Sequence, residues 1–210
     1  MNDSFHKGYP TSDGGLLIAT RIYAPSGDPL LASPDSVNTL LLKIDMNGNL
    51  QWAKTYGFGG GNNYAMGLAV SPSGKICVAG ATWGNQVQGG REAYVAVLNS
   101  NGITIQTNGY GFPMDDSFIE ALNYSGNRFL LVGNTKQPGT NFDPFIVVSD
   151  SLGGQGPGCS NCFSNFQPYK DITSSIQTTN VSIINYWKDH SVVPYSHALS
   201  VSPEFDTCHF

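Results

Sequence analysis

Charge is scarce in this chain. Only 12% of its 210 residues are Asp, Glu, Lys or Arg, about half the usual share. The 10 Lys and Arg form no cluster and the net charge is −5. A protein that binds nucleic acid needs basic residues to displace counterions from phosphates, so nucleic acid is excluded as a partner. Long apolar runs are also missing. None approaches the roughly 18 to 20 residues that a helix needs to cross a bilayer, so no membrane span is expected. Histidine is rare: His6, His190, His197 and His209. There is no G-x-S-x-G elbow and no H-E-x-x-H pair. The Asp189-His190 neighbours are adjacent in sequence, which says little about geometry. No converging carboxylates are visible. Neither enzymatic activity nor a cofactor is therefore expected.

Glycine, at 25 residues, and uncharged polar residues stand where charges are missing. That composition suits a turn-rich, all-β chain, and the class it describes is often extracellular. The chain is organised around residues 38–57. Residues 40–44 are a short apolar run, as in a strand buried on both faces. Asn47-Gly48 follows as a hairpin signal, because both residues tolerate positive φ. A second strand then runs around Trp52.

This stretch recurs. Ala93-Tyr94-Val95-Ala96-Val97-Leu98-Asn99-Ser100-Asn101-Gly102 repeats its first half 54 residues later, and Tyr110-Gly111-Phe112 repeats Tyr56-Gly57-Phe58. Residues 143–153 are a third copy. Asn2-Asp3-Ser4-Phe5 returns as Asp115-Asp116-Ser117-Phe118, and more loosely as Asn62-Asn63. Ser12-Asp13-Gly14-Gly15 has counterparts in the turns at 71–75 and 125–128. Three tandem units of about four short strands each, at a period of roughly 50 to 60 residues, point to propeller blades. The expected fold is all-β: a partial β-propeller of three blade-like repeats of four antiparallel strands, followed by a small disulfide-linked β appendage. The repeats span residues 1–58, 59–112 and 113–153. Residues 154–158 read as a linker and 159–210 as a Cys-bounded, Ser/Thr-rich appendage or connector. Propellers have 4 to 8 blades. Three cannot close a ring, so the sequence predicts further blades of the same polypeptide or blades supplied by another chain. Met1 stands where Met114 stands later, so the opening reads as the inside of a repeat rather than a targeting segment.

Few residues carry candidate chemistry. The segment 23–37 has three prolines and reads as the longest loop on one face, where binding specificity usually resides. Tyr23, Asp28 and Asp35 within it, with Trp83 in a shorter loop, are the candidate binding residues. Trp83 suits stacking on a sugar or covering a blade edge. Trp52 reads as core between blades. Cys77 aligns with the strand-interior Leu17 and Leu130 and reads as a buried thiol acting as a small hydrophobe. Two of Cys159, Cys162 and Cys208 are expected to pair. A bridge to Cys208 would close a loop of nearly 50 residues and stabilise it by roughly 3 to 4 kcal/mol on the chain-entropy model. A zinc site from these cysteines and His209 has suitable ligand types but lacks a second knuckle. Asp45-Met46-Asn47-Gly48-Asn49 loosely resembles a calcium loop, but the distal acid is missing and the copy starts with Asn99, so a turn is the expected reading. The Asx pairs at 2–3, 62–63 and 115–116 are expected to cap turns by accepting backbone N–H bonds.

These repeats resemble a family common in large secreted and cell-surface bacterial proteins. The resemblance rests on Ser12-Asp13-Gly14-Gly15, Ala79-Gly80-Ala81-Thr82, Leu42-Lys43-Ile44-Asp45, Gly48 and Trp52-Ala53-Lys54-Thr55-Tyr56-Gly57, and it covers residues 1–153. The second and third units depart from it at Val97-Leu98-Asn99 and Val148-Ser149-Asp150. The resemblance implies a β-propeller. The tail is similar to connectors in proteins exported by the type IX route of Gram-negative bacteria. On that likeness Asp35-Ser36-Val37 and Asp150-Ser151-Leu152 match an O-glycosylation signal at Ser36 and Ser151. It also implies a secreted or surface-bound protein of structural or adhesive role, with other chains, further blades or surface glycans as partners. The alternative is a carbohydrate-binding module of a larger secreted enzyme.

Overall fold

The computed structural model describes residues 5–23, 37–57, 61–83, 90–110, 114–136, 139, 141–154 and 162–163. Among these residues there is no helix. The strands form three antiparallel sheets, none of them closed. The first is a meander of β1 (Phe5–Pro10), β2 (Leu16–Tyr23), β3 (Val37–Ile44) and β4 (Leu50–Tyr56). The second holds β5 (Asn63–Val70), β6 (Ile76–Thr82), β7 (Glu92–Leu98) and β8 (Thr104–Tyr110). The third has three strands, β9 (Ser117–Asn123), β10 (Phe129–Lys136) and β11 (Phe142–Ser149). A two-residue strand, β12 (Cys162–Phe163), pairs with β8 at the edge of the second sheet.

The sheets are built alike down to their irregularities. The first strand of each carries a bulge at one residue, His6, Met66 or Ile119. The fourth strands of the first two sheets bulge at Gln51 and Ile105. One extra residue bends its strand and strengthens the local twist, so each first strand bends at the same repeat position. Opposite two of the first-strand bulges stand Gly80 and Gly133, where any Cβ would strike the carbonyl of Tyr64 or Ser117.

The sheets stack face to face. Strand side chains alternate between faces, so each sheet has a front, toward the next repeat in sequence, and a rear. The front of the first sheet (Leu17, Ala19, Leu41) packs on the rear of the second (Ile76, Val78, Tyr94, Ala96, Leu98) in one buried cluster. The front of the second (Cys77, Ala79, Val95, Val97) packs on the rear of the third (Phe129, Leu131, Phe145, Val147), with Phe118 and Ala121, in another. Sheets covered on both faces read as continuous apolar runs; every residue of β6 and β7 is buried. Phe118 and Phe145 stack with ring centroids 5.3 Å apart, and Tyr110 meets Phe118 edge to face at the same separation. Each fully buried Leu or Phe here stabilises the stack by roughly 1.5 to 3 kcal/mol.

Trp52 is half-buried against the first cluster, over Gly102 of the second sheet. Cys77 is a free, fully buried thiol, and burial pushes its pKa well up.

Candidate functional site

A meander gives each sheet two unlike ends. One end carries tight turns, where a single Asx residue organises the backbone. Asp45 Oδ1 accepts the N–H groups of Asn47 and Asn49, each at 2.8 Å. Asn99 Oδ1 accepts those of Asn101 and Ile103, and Asp150 Oδ1 those of Leu152 and Gly154. Gly48, Gly102 and Gly153 close these turns at φ of 86°, 70° and 76°. Hydrogen bonds to Asn49, joined by that to Asn47, hold the Asp45 carboxyl below its ordinary pKa. Asn99 makes the same turn without a charge, so these residues are turn formers; the calcium loop is not needed to explain them.

The turns also join the sheets. The Tyr56 hydroxyl donates to the Gly102 carbonyl at 2.5 Å. One repeat later the Tyr110 hydroxyl donates to the Gly153 carbonyl. A phenol on the fourth strand of one sheet thus bonds the turn glycine of the next.

The opposite end carries the longer loops and most of the buried polar groups: Asn38, Asn63, Thr82, Glu92, Asp116, Ser117 and Thr135. Thr82 Oγ1 donates to Asn63 Oδ1 at 2.7 Å, and Asn63 Nδ2 donates to the Gly61 carbonyl at 2.8 Å. The Asx pair at 2–3 lies outside the described residues; those at 62–63 and 115–116 do accept backbone N–H bonds, but from the neighbouring sheet. Asn62 Oδ1 accepts the Val37 N–H at 2.9 Å, and Asp115 Oδ1 accepts the Arg91 N–H at 3.0 Å. The second member of each pair, Asn63 or Asp116, is buried behind it.

On this end an aromatic and cationic ladder crosses from the first sheet to the second. The Arg21 guanidinium lies 5.0 Å from the centre of the Tyr64 ring. Tyr64 meets Trp83 edge to face at 5.3 Å, and Arg91 lies 5.3 Å from the centre of the Trp83 ring. All four are half-buried. Arg21 Nε donates to His6 Nε2. Burial, and secondarily the Arg21 charge, lower the His6 pKa and favour the neutral ring as acceptor. Cation–aromatic pairs of this kind contribute about 0.5 to 2 kcal/mol. The ladder offers aromatic edges and guanidinium groups together, a chemistry that suits a hydroxylated or acidic ligand. Nearby, Lys7 on β1 and Glu120 on β9 form an ion pair that joins the first and third sheets.

Of the sequence candidates, Trp83 stands in this ladder. Tyr23 ends β2, opposite Val37. Asp28, Asp35 and Ser36 lie outside the described residues, as do Cys159, Cys208 and His209. Cys162 pairs through its backbone with Tyr110. Ser151 lies in the third-sheet turn, its hydroxyl 3.4 Å and its carbonyl 3.2 Å from Lys75 Nζ. Sequence reasoning passed over Arg21, Tyr64 and Arg91, whose only signal is isolated charge or an aromatic at strand ends. Among the described residues, no three His, Cys, Asp or Glu side chains gather closely enough to hold a metal ion, and no helix is long and apolar enough to cross a membrane. No protein-family model and no curated protein matches the chain.

Proposed function

We propose that this chain is a partial β-propeller, a non-enzymatic structural and adhesive segment of an extracellular or cell-surface protein. It works by stacking with further blades or other chains. One observation carries the reading. The middle sheet is covered on both faces, whereas the outer faces of the stack keep apolar residues at the same repeat positions. On the rear of the first sheet, Leu16, Ile18, Leu40, Leu42 and Ile44 occupy the positions of the buried Ile76, Val78, Tyr94, Ala96 and Leu98. On the front of the third, Leu130, Val132, Ile146 and Val148 occupy those of Cys77, Ala79, Val95 and Val97, with Ile146 64% exposed. Contiguous apolar faces of this kind mark interaction surfaces.

In this reading the appendage at 159–210 is fastened by a disulfide between two of Cys159, Cys162 and Cys208. Export follows the type IX route of a Gram-negative bacterium, with glycans on Ser36 and Ser151. Surface labelling of intact source cells with an antibody to this chain, with intact mass under non-reducing conditions, tests it. Labelling before permeabilisation, and a mass lower by two hydrogens for the bridge and raised by any glycan, are expected. Labelling only after lysis would overturn the surface assignment.

The Arg21–Tyr64–Trp83–Arg91 ladder favours a second reading, a carbohydrate-binding module of a larger secreted enzyme. Titration with soluble neutral and acidic polysaccharides, followed by Trp fluorescence, tests it. Saturable quenching that disappears in Trp83→Ala supports it; an unresponsive wild type removes it.

A further inference from the structure

We infer that the front of the third sheet and the rear of the first are seats for one another in a second copy of this chain. Two copies then stack head to tail, and the six sheets of their described residues close into a ring. The inference rests on the propeller reading above and names the occupant of its open faces.

The front-to-rear junction is already established twice within the chain, between the first and second sheets and between the second and third. Both times the same repeat positions meet. The exposed front of the third sheet presents Ile146 and Val148 where the second presents Val95 and Val97. The rear of the first sheet presents Leu40 and Leu42 where the second presents Tyr94 and Ala96. A third junction of the same kind therefore needs no new chemistry, only a second chain. Because front meets rear, the contact is heterologous. Such contacts make rings when the rotation closes and filaments when it does not. Six sheets fall within the 4 to 8 blades of closed propellers.

One element of the internal junctions is missing between copies. Tyr56 and Tyr110 are both engaged within the chain, on Gly102 and Gly153. No equivalent phenol from the described residues reaches Gly48 of the partner. The junction between copies is accordingly weaker than the two inside each chain and dissociates on dilution while the sheets stay folded.

The experiment is sedimentation velocity on the full chain and on two variants. Ile146→Asp with Val148→Asp blocks the front seat, and Leu40→Asp with Leu42→Asp blocks the rear seat. Circular dichroism must first show the wild-type β signature for each variant. The wild type is expected at twice the chain mass at about 100 μM, and each variant alone as a monomer. Mixing the two variants leaves one intact front-to-rear junction, so a 1:1 heterodimer should form. A wild type that is monomeric at that concentration overturns the second-copy assignment, while the surface-labelling result stands on its own. A dimeric wild type whose variants stay monomeric on mixing would mean that the copies meet by some other pair of faces, and equally overturns it. Should a variant misfold, cross-linking between cysteines introduced at Ile146 and Leu40 of the wild type replaces it. Inter-chain bonds are then expected, and their absence refutes the seat.

Discussion

Single side chains in this protein act across long stretches of sequence. Lys43 is the clearest case. Its ammonium is nearly buried, lies 2.8 and 3.1 Å from the two Asp13 carboxylate oxygens, and also donates to the Ile44 carbonyl at 3.2 Å. The Lys43 hydrogen bond, aided by those from Thr11 and Gly15, holds the Asp13 pKa far below the ordinary carboxylate value. A depressed folded-state pKa means stability that is present above the unfolded value near 4 and is lost as pH falls below it. Asp13→Asn should therefore melt below the wild type at pH 6, and the gap in Tm should narrow steadily as pH falls from 4 toward 2; a gap independent of pH would remove the ion pair as its cause. The tyrosine joints give a second prediction. Tyr110→Phe leaves a buried carbonyl without its donor and should cost about 1 to 3 kcal/mol, and Tyr56→Phe, at a more open site, about 1 kcal/mol. Chemical denaturation would measure both. Equal and negligible losses would mean that packing alone joins the sheets.

At the scale of strands, the inner contact between sheets is tight enough to exclude a methyl group. A Cβ on Gly67 of β5 would stand 2.5 Å from the Ala121 nitrogen and 2.6 Å from the Glu120 carbonyl carbon of β9. Backbone does not yield as a side-chain tip does, so Gly67→Ala should lower stability by about 1 to 3 kcal/mol. A neutral substitution would show that β5 and β9 part more easily than their packing implies. This contact was not legible in the sequence, because Gly67 belongs to no visible motif and its reason lies 54 residues away. The turns were legible: Asn47-Gly48 and Asn101-Gly102 name their own geometry, and the apolar runs of β6 and β7 name their burial. Residues 40–44 of β3 were expected to be buried on both faces, but only Leu41 and Lys43 are buried, because no second described sheet covers the rear of the first. The bulges at His6, Met66 and Ile119 were not, since a histidine, a methionine and an isoleucine share no chemistry and only the ladder register unites them. The Ser-Asp-Gly-Gly turn and the Lys43 strand read as separate motif pieces. They form one unit, because Gly15 leaves the space that Lys43 fills. Where Lys43 gives way to Val97, Asp13 and Gly15 give way to Ser73 and Lys75, so the departures from the repeat pattern occur together. The ladder of Arg21, Tyr64, Trp83 and Arg91 was the least legible feature. Its members come from four strand ends and are neighbours only after the sheets stack.

Among the described residues the three sheets stack in chain order, and stability in stacked repeats is close to a sum of unit and neighbour terms. The second sheet has a neighbour on each face and should be the last to open. The third has a neighbour on its rear only and no fourth strand among the described residues. Its β11 is an edge strand that carries Pro144, a residue tolerated in sheets only where a ladder bond is dispensable. Local opening follows the density of buried apolar contacts and the exposure of backbone hydrogen bonds. Native-state hydrogen exchange should therefore be slowest in β6 and β7, where every residue is buried, and fastest among the core strands in β11, five of whose eight residues are exposed. Uniform protection across the three sheets would mean that they open as a single cooperative unit. A second copy seated on the front of the third sheet changes this order in one predictable way. At concentrations where the chain is dimeric, protection of β10 and β11 should rise toward that of β6 and β7, and dilution should reverse it. Protection of β11 that ignores concentration would leave the front of the third sheet without its second-copy partner.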